Sequence, residues 1–410
     1  MYSNRGGVRV EAIEKMNSLP FLGISEMRLD RDGTMSVLFA DGRRETATLG
    51  RAAFEPSSAM ASSTYLPQPS QLRLETVRGD EMLIDIPLPD VLAPLDGRVV
   101  IYLDQNHWST LTHAIHEPGR VPDERELSAA LKLVELVESR QVVLPMSSGH
   151  MSETCKQVDF EQRYRRALTI VKLSGGWQLR DPLDVRRFEI RQALTIRYRR
   201  RCLLRSAVVT LEPDAVHAGR GKDLPTGGSD RPARFRWLIH AISCIGGNVD
   251  AMLDSDYAPM LPPSRWVAEF QNFATFLQGN QVGKELKRRR TYAKFIADLG
   301  SELANGASLA GASVDELTDW TLNCGEEDLK SMPALGLYRE VIHEKLSDGR
   351  LRWEENDLTD MMYLTAAAGY CDHVVGERKH AAHIANALRR LGQAGRIHRN
   401  IRSLVEFLEA

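Results

Sequence analysis

Four acids in this chain stand where a short apolar run gives way to a helix or where a helix begins: Asp104, Glu153, Asp360 and Glu377. Asp104 follows Val99-Val100-Ile101-Tyr102-Leu103, a β-branched apolar run of the kind that forms a central parallel strand, and Gln105-Asn106-His107-Trp108 then turns into a helix. Glu377 ends a second short run, Tyr370-Cys371-Asp372-His373-Val374-Val375-Gly376. A third candidate strand, Gln141 to Ser148, leads through Gly149-His150-Met151-Ser152 to Glu153 on the first turn of the next helix. Asp360 lies at the start of the apolar helix opened by Asn356-Asp357. Open α/β sheets collect their ligands at the carboxyl ends of strands, so the four acids can converge on one site.

Carboxylates crowded at one end of a sheet repel one another and take up protons unless a cation compensates them. An all-oxygen donor set suits Mg2+ or Mn2+. Asp104 and Glu377 are the expected direct ligands, Glu153 and Asp360 complete the shell directly or through water, and Asp372 and Asp357 are further candidates. Each acid also has a structural reading. Asp104 can cap a helix beside Asn106, Glu153 can face solvent, and Asp372 can pair with an arginine at a strand start. Asp357 followed by Asp360 resembles a capping box, which leaves Asp360 the better site residue of the two.

The order of these segments resembles the PIN (PilT N-terminus) domain family, whose members place acids after the first strand, early in a following helix, at the start of a late helix and after a late strand. Asp104-Gln105-Asn106-x-Trp108 looks like the opening motif, Ser148-x-x-x-x-Glu153 the second, and Asn356-Asp357-x-x-Asp360 with Asp372-x-x-Val375-x-Glu377 the closing pair. The chain departs from the common pattern in carrying Glu377 where many members have Asp, and in the long segment between the second and third motifs. The resemblance implies a PIN-like parallel-sheet core and a metal-dependent endonuclease with Asp104, Glu153, Asp360 and Glu377 as catalytic residues. One or two ions, about 4 Å apart if two, would then serve in-line hydrolysis of a phosphodiester. It also implies RNA as the favoured substrate, in a setting such as antiviral defence, a toxin or RNA processing. DNA cleavage at the same site, and an inactive nucleic-acid-binding or scaffolding protein, are the competing readings.

The net charge of −2 hides a basic middle. Arginines and one lysine recur from Arg163 to Arg205, and a second cluster runs from Lys284 to Lys294. Arg197, Arg199, Arg200, Arg201, Lys287, Arg288, Arg289 and Arg290 are the expected phosphate contacts, with Asn106 and His150 beside the acids and Tyr164, Tyr198 and Tyr292 available for stacking on bases. The plainer reading is a solvated helix face whose charges pair with neighbouring acids.

At 410 residues, 43% hydrophobic and 26% charged, the chain suits a soluble globular protein with two or three cores. The expected division is a β-rich N-terminal module over 1–95, a first core segment over 97–155, a helical basic insertion over 156–329 and a second core segment over 330–410. Removing the insertion leaves about 60 plus about 80 residues, the size of an ordinary small domain. Arg31-Asp32-Gly33 and Arg78-Gly79-Asp80 predict hairpin turns in the first module, which offers a surface to substrate, a protein partner or a second copy of the chain. The helical insertion is a second such surface for a partner or another copy. Leu127, Ala130, Leu131, Val134 and Leu136 or Val137 predict a core helix over Glu126 to Ser139.

Five scattered cysteines, Cys155, Cys202, Cys244, Cys324 and Cys371, have no paired spacing and fit a reducing cytoplasm. No signal-peptide core and no membrane-spanning run stands out, so neither secretion nor membrane insertion is expected. His107, His113 and His116 lack further ligands at zinc spacing, the glycine pairs lack a phosphate-loop lysine, and the six tryptophans read as core anchors.

Overall fold

The structure, a computed structural model, describes residues 23–48, 52–87, 95–199, 201–203, 207–217, 231–256, 265–280 and 283–410, with the backbone alone over 231–236. The chain forms two compact units that interleave along the sequence: 1–97, 145–178 and 210–258 make one, and 98–144, 179–209 and 259–410 the other. This differs from the expected succession of modules. The segment taken as one insertion is shared between the units, because contacts follow packed faces and not sequence neighbourhood.

In the first unit β1 (Ile24–Asp30), β2 (Thr34–Phe39), β3 (Arg44–Thr48), β4 (Met60–Leu66), β5 (Gln71–Thr76) and β6 (Glu81–Asp85) form one antiparallel sheet in the order β3-β2-β1-β4-β5-β6. Along β2, Met35, Val37 and Phe39 are buried and the residues between them are less so, the period of two that a half-covered strand requires. Gly33 and Gly79 both have φ of 85° in the two hairpin turns, a conformation open to glycine without a Cβ clash. The helix Phe160–Ser174 packs on β6 and on the helix Arg231–Leu253. The Asp85 N–H donates to the Gly175 carbonyl at 2.8 Å. A Cβ at the adjacent Gly176 would lie 2.5 Å from Ile84 Cγ2 and 2.6 Å from the Asp85 carbonyl oxygen, so this close approach demands glycine.

The second unit is built on β7 (Val99–Leu103) and β8 (Val142–Val143), and, after the two-residue strands β9 (Gln178–Leu179) and β10 (Val209–Thr210) where the chain passes between units, on β11 (His373–Val375) and β12 (Arg396–His398). The order β12-β11-β7-β8 is parallel throughout. Ile101, Leu103, Val374 and Val375 are 0% exposed, each burial worth about 1.5–3 kcal/mol, which explains why the central strands read as unbroken apolar runs. The helix Glu124–Glu138, capped by the Asp123 side chain, packs on the helices Gln105–His116 and Ile401–Leu408. The helix Pro333–Ser347 packs on Asp357–Tyr370 and Arg378–Leu391. Trp108 and Trp320 are 0% exposed, core anchors as expected. The chain is thus mixed α/β, a parallel four-stranded sheet in one unit and an antiparallel sheet in the other. Among the described residues no helix is long and apolar enough to cross a membrane.

Candidate functional site

The chain runs from β7 to its neighbour β8 on one side, then returns to β11 and β12 on the other, so the direction of strand order reverses between β7 and β11. Crevices at such a reversal are where open sheets bind ligands. Val375 lies opposite Leu103, and the two strands leave the sheet at the same end, into Asp104 and into Gly376-Glu377. The Asp104 N–H donates to the Val375 carbonyl at 2.9 Å, and its Oδ1 accepts from the Gln105 N–H at 2.8 Å as the cap of the helix Gln105–His116. The capping reading and the site reading of Asp104 are therefore compatible.

Burial pushes the Asp104 carboxyl up to about 6, and the negative charges of Asp360 and Glu377 add to the rise, against the Gln105 hydrogen bond and His380. Glu377 begins the helix Arg378–Leu391 without capping it; its Oε1 accepts from the Asn106 side-chain amide. Asn106 is thereby a positioning residue for Glu377. His107 is buried and bonds to the Gly376 backbone, and burial lowers its imidazole to about 4, so a neutral ring ties the helix start to the end of β11.

Sequence reasoning missed His380, three residues after Glu377 and therefore on the same side of its helix. It is 2% exposed, with Nε2 3.7 Å from Asp360 Oδ2 and 3.8 Å from Asp357 Oδ1 and no hydrogen-bond partner for that nitrogen among the described residues. A histidine three positions beyond a strand-end acid is the only signal the sequence held.

Other expected site residues lie elsewhere. Asp357 is fully buried, bonded to the Lys345 ammonium and the Glu354 N–H and 2.6 Å from Lys379 Nζ. Burial alone would raise its carboxyl, but the two lysines hold it below its ordinary value. It is a compensated charge, and the capping box is absent too, since Asn356 takes the cap position with no side-chain bond. Asp372 accepts from the Val100 N–H at 2.8 Å at the entry of β11, the opposite end of the strand from Glu377 and on the order of 15 Å along it, which removes it from the ligand set. Glu153 belongs to the other unit, on the helix Ser148–Cys155, where Lys156 Nζ donates to it at 2.6 Å. His150 is 2% exposed and closes a capping box with Ser147, so its role is to start that helix and not to meet a phosphate.

Most of the described basic positions are engaged within the second unit. Arg197 pairs with Asp328, Arg199 with Glu316, Arg288 with Glu326 and Glu340, and Arg289 with Glu285. Lys287 donates to the Ser347 carbonyl, the Arg290 guanidinium sits 5.0 Å above the Phe276 ring, and Arg201 is exposed. Arg200 lies outside the described residues. Tyr198 and Tyr292 donate to Asp319 and to the Thr321 carbonyl, and Tyr164 is held by Thr76 and Asp80 in the first unit. The plainer reading of the charge run, internal pairing, describes these residues better than an open phosphate stripe.

Asp104, Asp360 and Glu377 remain as an acidic, all-oxygen set with Asn106 and His380 at its edge. A hard divalent cation fits the chemistry of that set: it would relieve the repulsion that helps raise Asp104. Among the described residues no three His, Cys, Asp or Glu side chains stand together as a ready metal cluster. Comparison of the chain with protein-family models, with curated proteins and with solved structures finds no match.

Proposed function

We propose that the chain is a metal-dependent nuclease with a PIN-like core, hydrolysing phosphodiester bonds, with RNA as the favoured substrate in a defence, toxin or RNA-processing setting. The observation that carries this reading is the approach of Asp360 and Glu377 to Asp104 at the strand-order reversal, close enough for their charges to raise the Asp104 carboxyl. The order of these acids along the chain, which resembles that family, supports it; the preference for RNA rests on the resemblance alone.

Asp104, Asp360 and Glu377 would hold Mg2+ or Mn2+, which when bound supplies Lewis acidity and a water of lowered pKa. The chain's own residues do the positioning. Asn106 orients the Glu377 carboxylate, His107 ties the two strand ends together, and His380 faces Asp360 from the buried side. The negative set cannot attract a phosphate by itself, so substrate binding at this site requires the cation. DNA cleavage uses the same groups and is separated by assay. A purely nucleic-acid-binding role is disfavoured by the internal pairing of Arg197, Arg199, Arg288 and Arg289.

The test is cleavage of labelled single-stranded RNA, single-stranded DNA and duplexes by the parent and by Asp104→Asn, with Mg2+, Mn2+ or chelator. Metal-dependent cutting by the parent alone is the expected result, and the polymer cut decides RNA against DNA. Binding without any turnover, equal in parent and variant, would overturn the nuclease reading.

A further inference from the structure

A second group of reactive side chains lies in the first unit, apart from the acidic set. His240 and Cys244 are four residues apart on the helix Arg231–Leu253 and share one face of it. Cys244 Sγ is 3.3 Å from His240 Nε2 and 3.9 Å from Nδ1. The same Nε2 is 3.8 Å from Asp214 Oδ2, on the segment that precedes the helix. One turn further on, the Asn248 side chain and His217 Nε2 are hydrogen-bonded at 3.0 Å, which fastens that segment to the helix.

Asp214 supplies the second observation. Its side chain is 8% exposed, and Oδ2, aimed at the imidazole, is buried without a hydrogen-bond partner among the described residues. A buried carboxylate oxygen lacking a donor is expensive unless a positive charge faces it, and the facing group is His240. Asp214 thus faces the same ring nitrogen to which the thiol, at 3.3 Å, can pass its proton. A thiolate beside a histidinium is the reactive form of cysteine.

We propose that Cys244 is a redox modification site, a thiol activated by His240 and Asp214 that reacts with small hydroperoxides. The Sγ proton moves to His240 Nε2, and the thiolate attacks one peroxide oxygen. The S–O bond forms as the O–O bond breaks, and the departing hydroxide takes the proton back from Nε2 as water. Cys244 becomes a sulfenic acid, its sulfur oxidised by two electrons and the peroxide reduced by two. Asp214 holds the imidazolium while the proton resides there. Cys244 is half-buried, whereas Cys155 and Cys371 are buried.

The remaining cysteines serve as internal controls. Native protein at pH 7 is treated with limiting hydrogen peroxide in the presence of dimedone, and label at each cysteine is followed by peptide mass spectrometry. An ordinary thiol is about 3% ionised at that pH, so full activation leaves room for up to about thirtyfold. Cys244 should label about tenfold faster than the exposed Cys202, and urea should abolish the difference. His240→Gln and Asp214→Asn should bring Cys244 toward the Cys202 rate while leaving the other four unchanged. The proposal is overturned if Cys244 in the parent labels no faster than Cys202, a result that needs no variant to fold. It is equally overturned if folded His240→Gln labels as fast as the parent, or if Cys244 labels only after a chelator is added, which would make it a metal ligand instead.

Discussion

The acids at the ends of β7 and β11 and the arginines on the helices Pro182–Arg199 and Lys284–Asp298 are in opposite electrostatic situations. Arg197, Arg199, Arg288 and Arg289 each meet a carboxylate, so a run of positive charge along the sequence becomes a set of neutral pairs in the fold. Asp104, Asp360 and Glu377 are isolated in the sequence and become a concentration of like charge in the fold. The excess of charge thus sits where the sequence is sparing with it. The contrast recurs within the acids themselves: Asp357, one helical turn from Asp360, is compensated by Lys345 and Lys379, while Asp104 is compensated by no lysine or arginine that its shift records.

The largest effect should come from breaking the compensated side. Lys345→Met leaves Asp357 buried with one of its two cations gone, and the unfolding free energy from urea denaturation should fall by about 3–5 kcal/mol. Adding Asp357→Asn should recover much of that loss; no recovery would mean that packing of the lysine stem, and not charge, is what matters there.

The uncompensated side should respond with the opposite sign. Asp104→Asn keeps an oxygen for the Gln105 N–H and removes a carboxylate that burial and its neighbours disfavour, so without divalent cations stability at pH 7 should rise by about 2 kcal/mol. Cleavage, in the proposed function, should drop at least about a hundredfold in the same variant. Mg2+ should raise the Tm of the parent and leave that of Asp104→Asn unmoved. A parent indifferent to Mg2+ and Mn2+ would break the link between crowded acids and a cation.

His107 gives a pH signature for the strand-end geometry. Its folded value, about 4, is depressed below the ordinary imidazole value of 6.5, so the stability it contributes is present above pH 6.5 and is lost as pH falls toward 4. The loss attributable to this ring should be about 2–3 kcal/mol, read as the difference between parent and His107→Asn in urea melts across that window. Parallel pH profiles for the two proteins would show that the ring is not buried in its neutral form.

The smallest effect is expected at the paired arginines. Arg199→Ala and Arg289→Ala should leave the salt dependence of nucleic-acid binding unchanged, since both guanidiniums are already engaged with Glu316 and Glu285. A slope that falls by about one per arginine removed would identify them as phosphate contacts that their carboxylates do not neutralise.

Much of the local structure was legible in the residues. The run from Val99 to Leu103 forms β7, the run ending at Glu377 contains β11, the two glycine turns close hairpins, and the expected helix near Glu126 spans Glu124–Glu138. Each depends on the period of burial or on turn chemistry, which involves residues a few positions apart. Of the candidate site, the local placement of Asp104 and Glu377 at strand ends and of Asp360 at a helix start was legible for the same reason. Asp372 was misjudged because a strand three residues long separates its two ends by more than a ligand sphere.

The tertiary structure decided everything that depends on distant partners. It set which charges are compensated, with Arg197 meeting Asp328 across 131 positions and Asn106 meeting Glu377 across 271. It placed Glu153 in a different unit from Asp104, buried Asp357 between two lysines, and brought His380 to the acids and Asp214 to His240. Hydrophobic periodicity is a property of neighbours and is written along the chain; the partner of a charge is a property of packing, and only the folded arrangement of the sheets and helices supplies it.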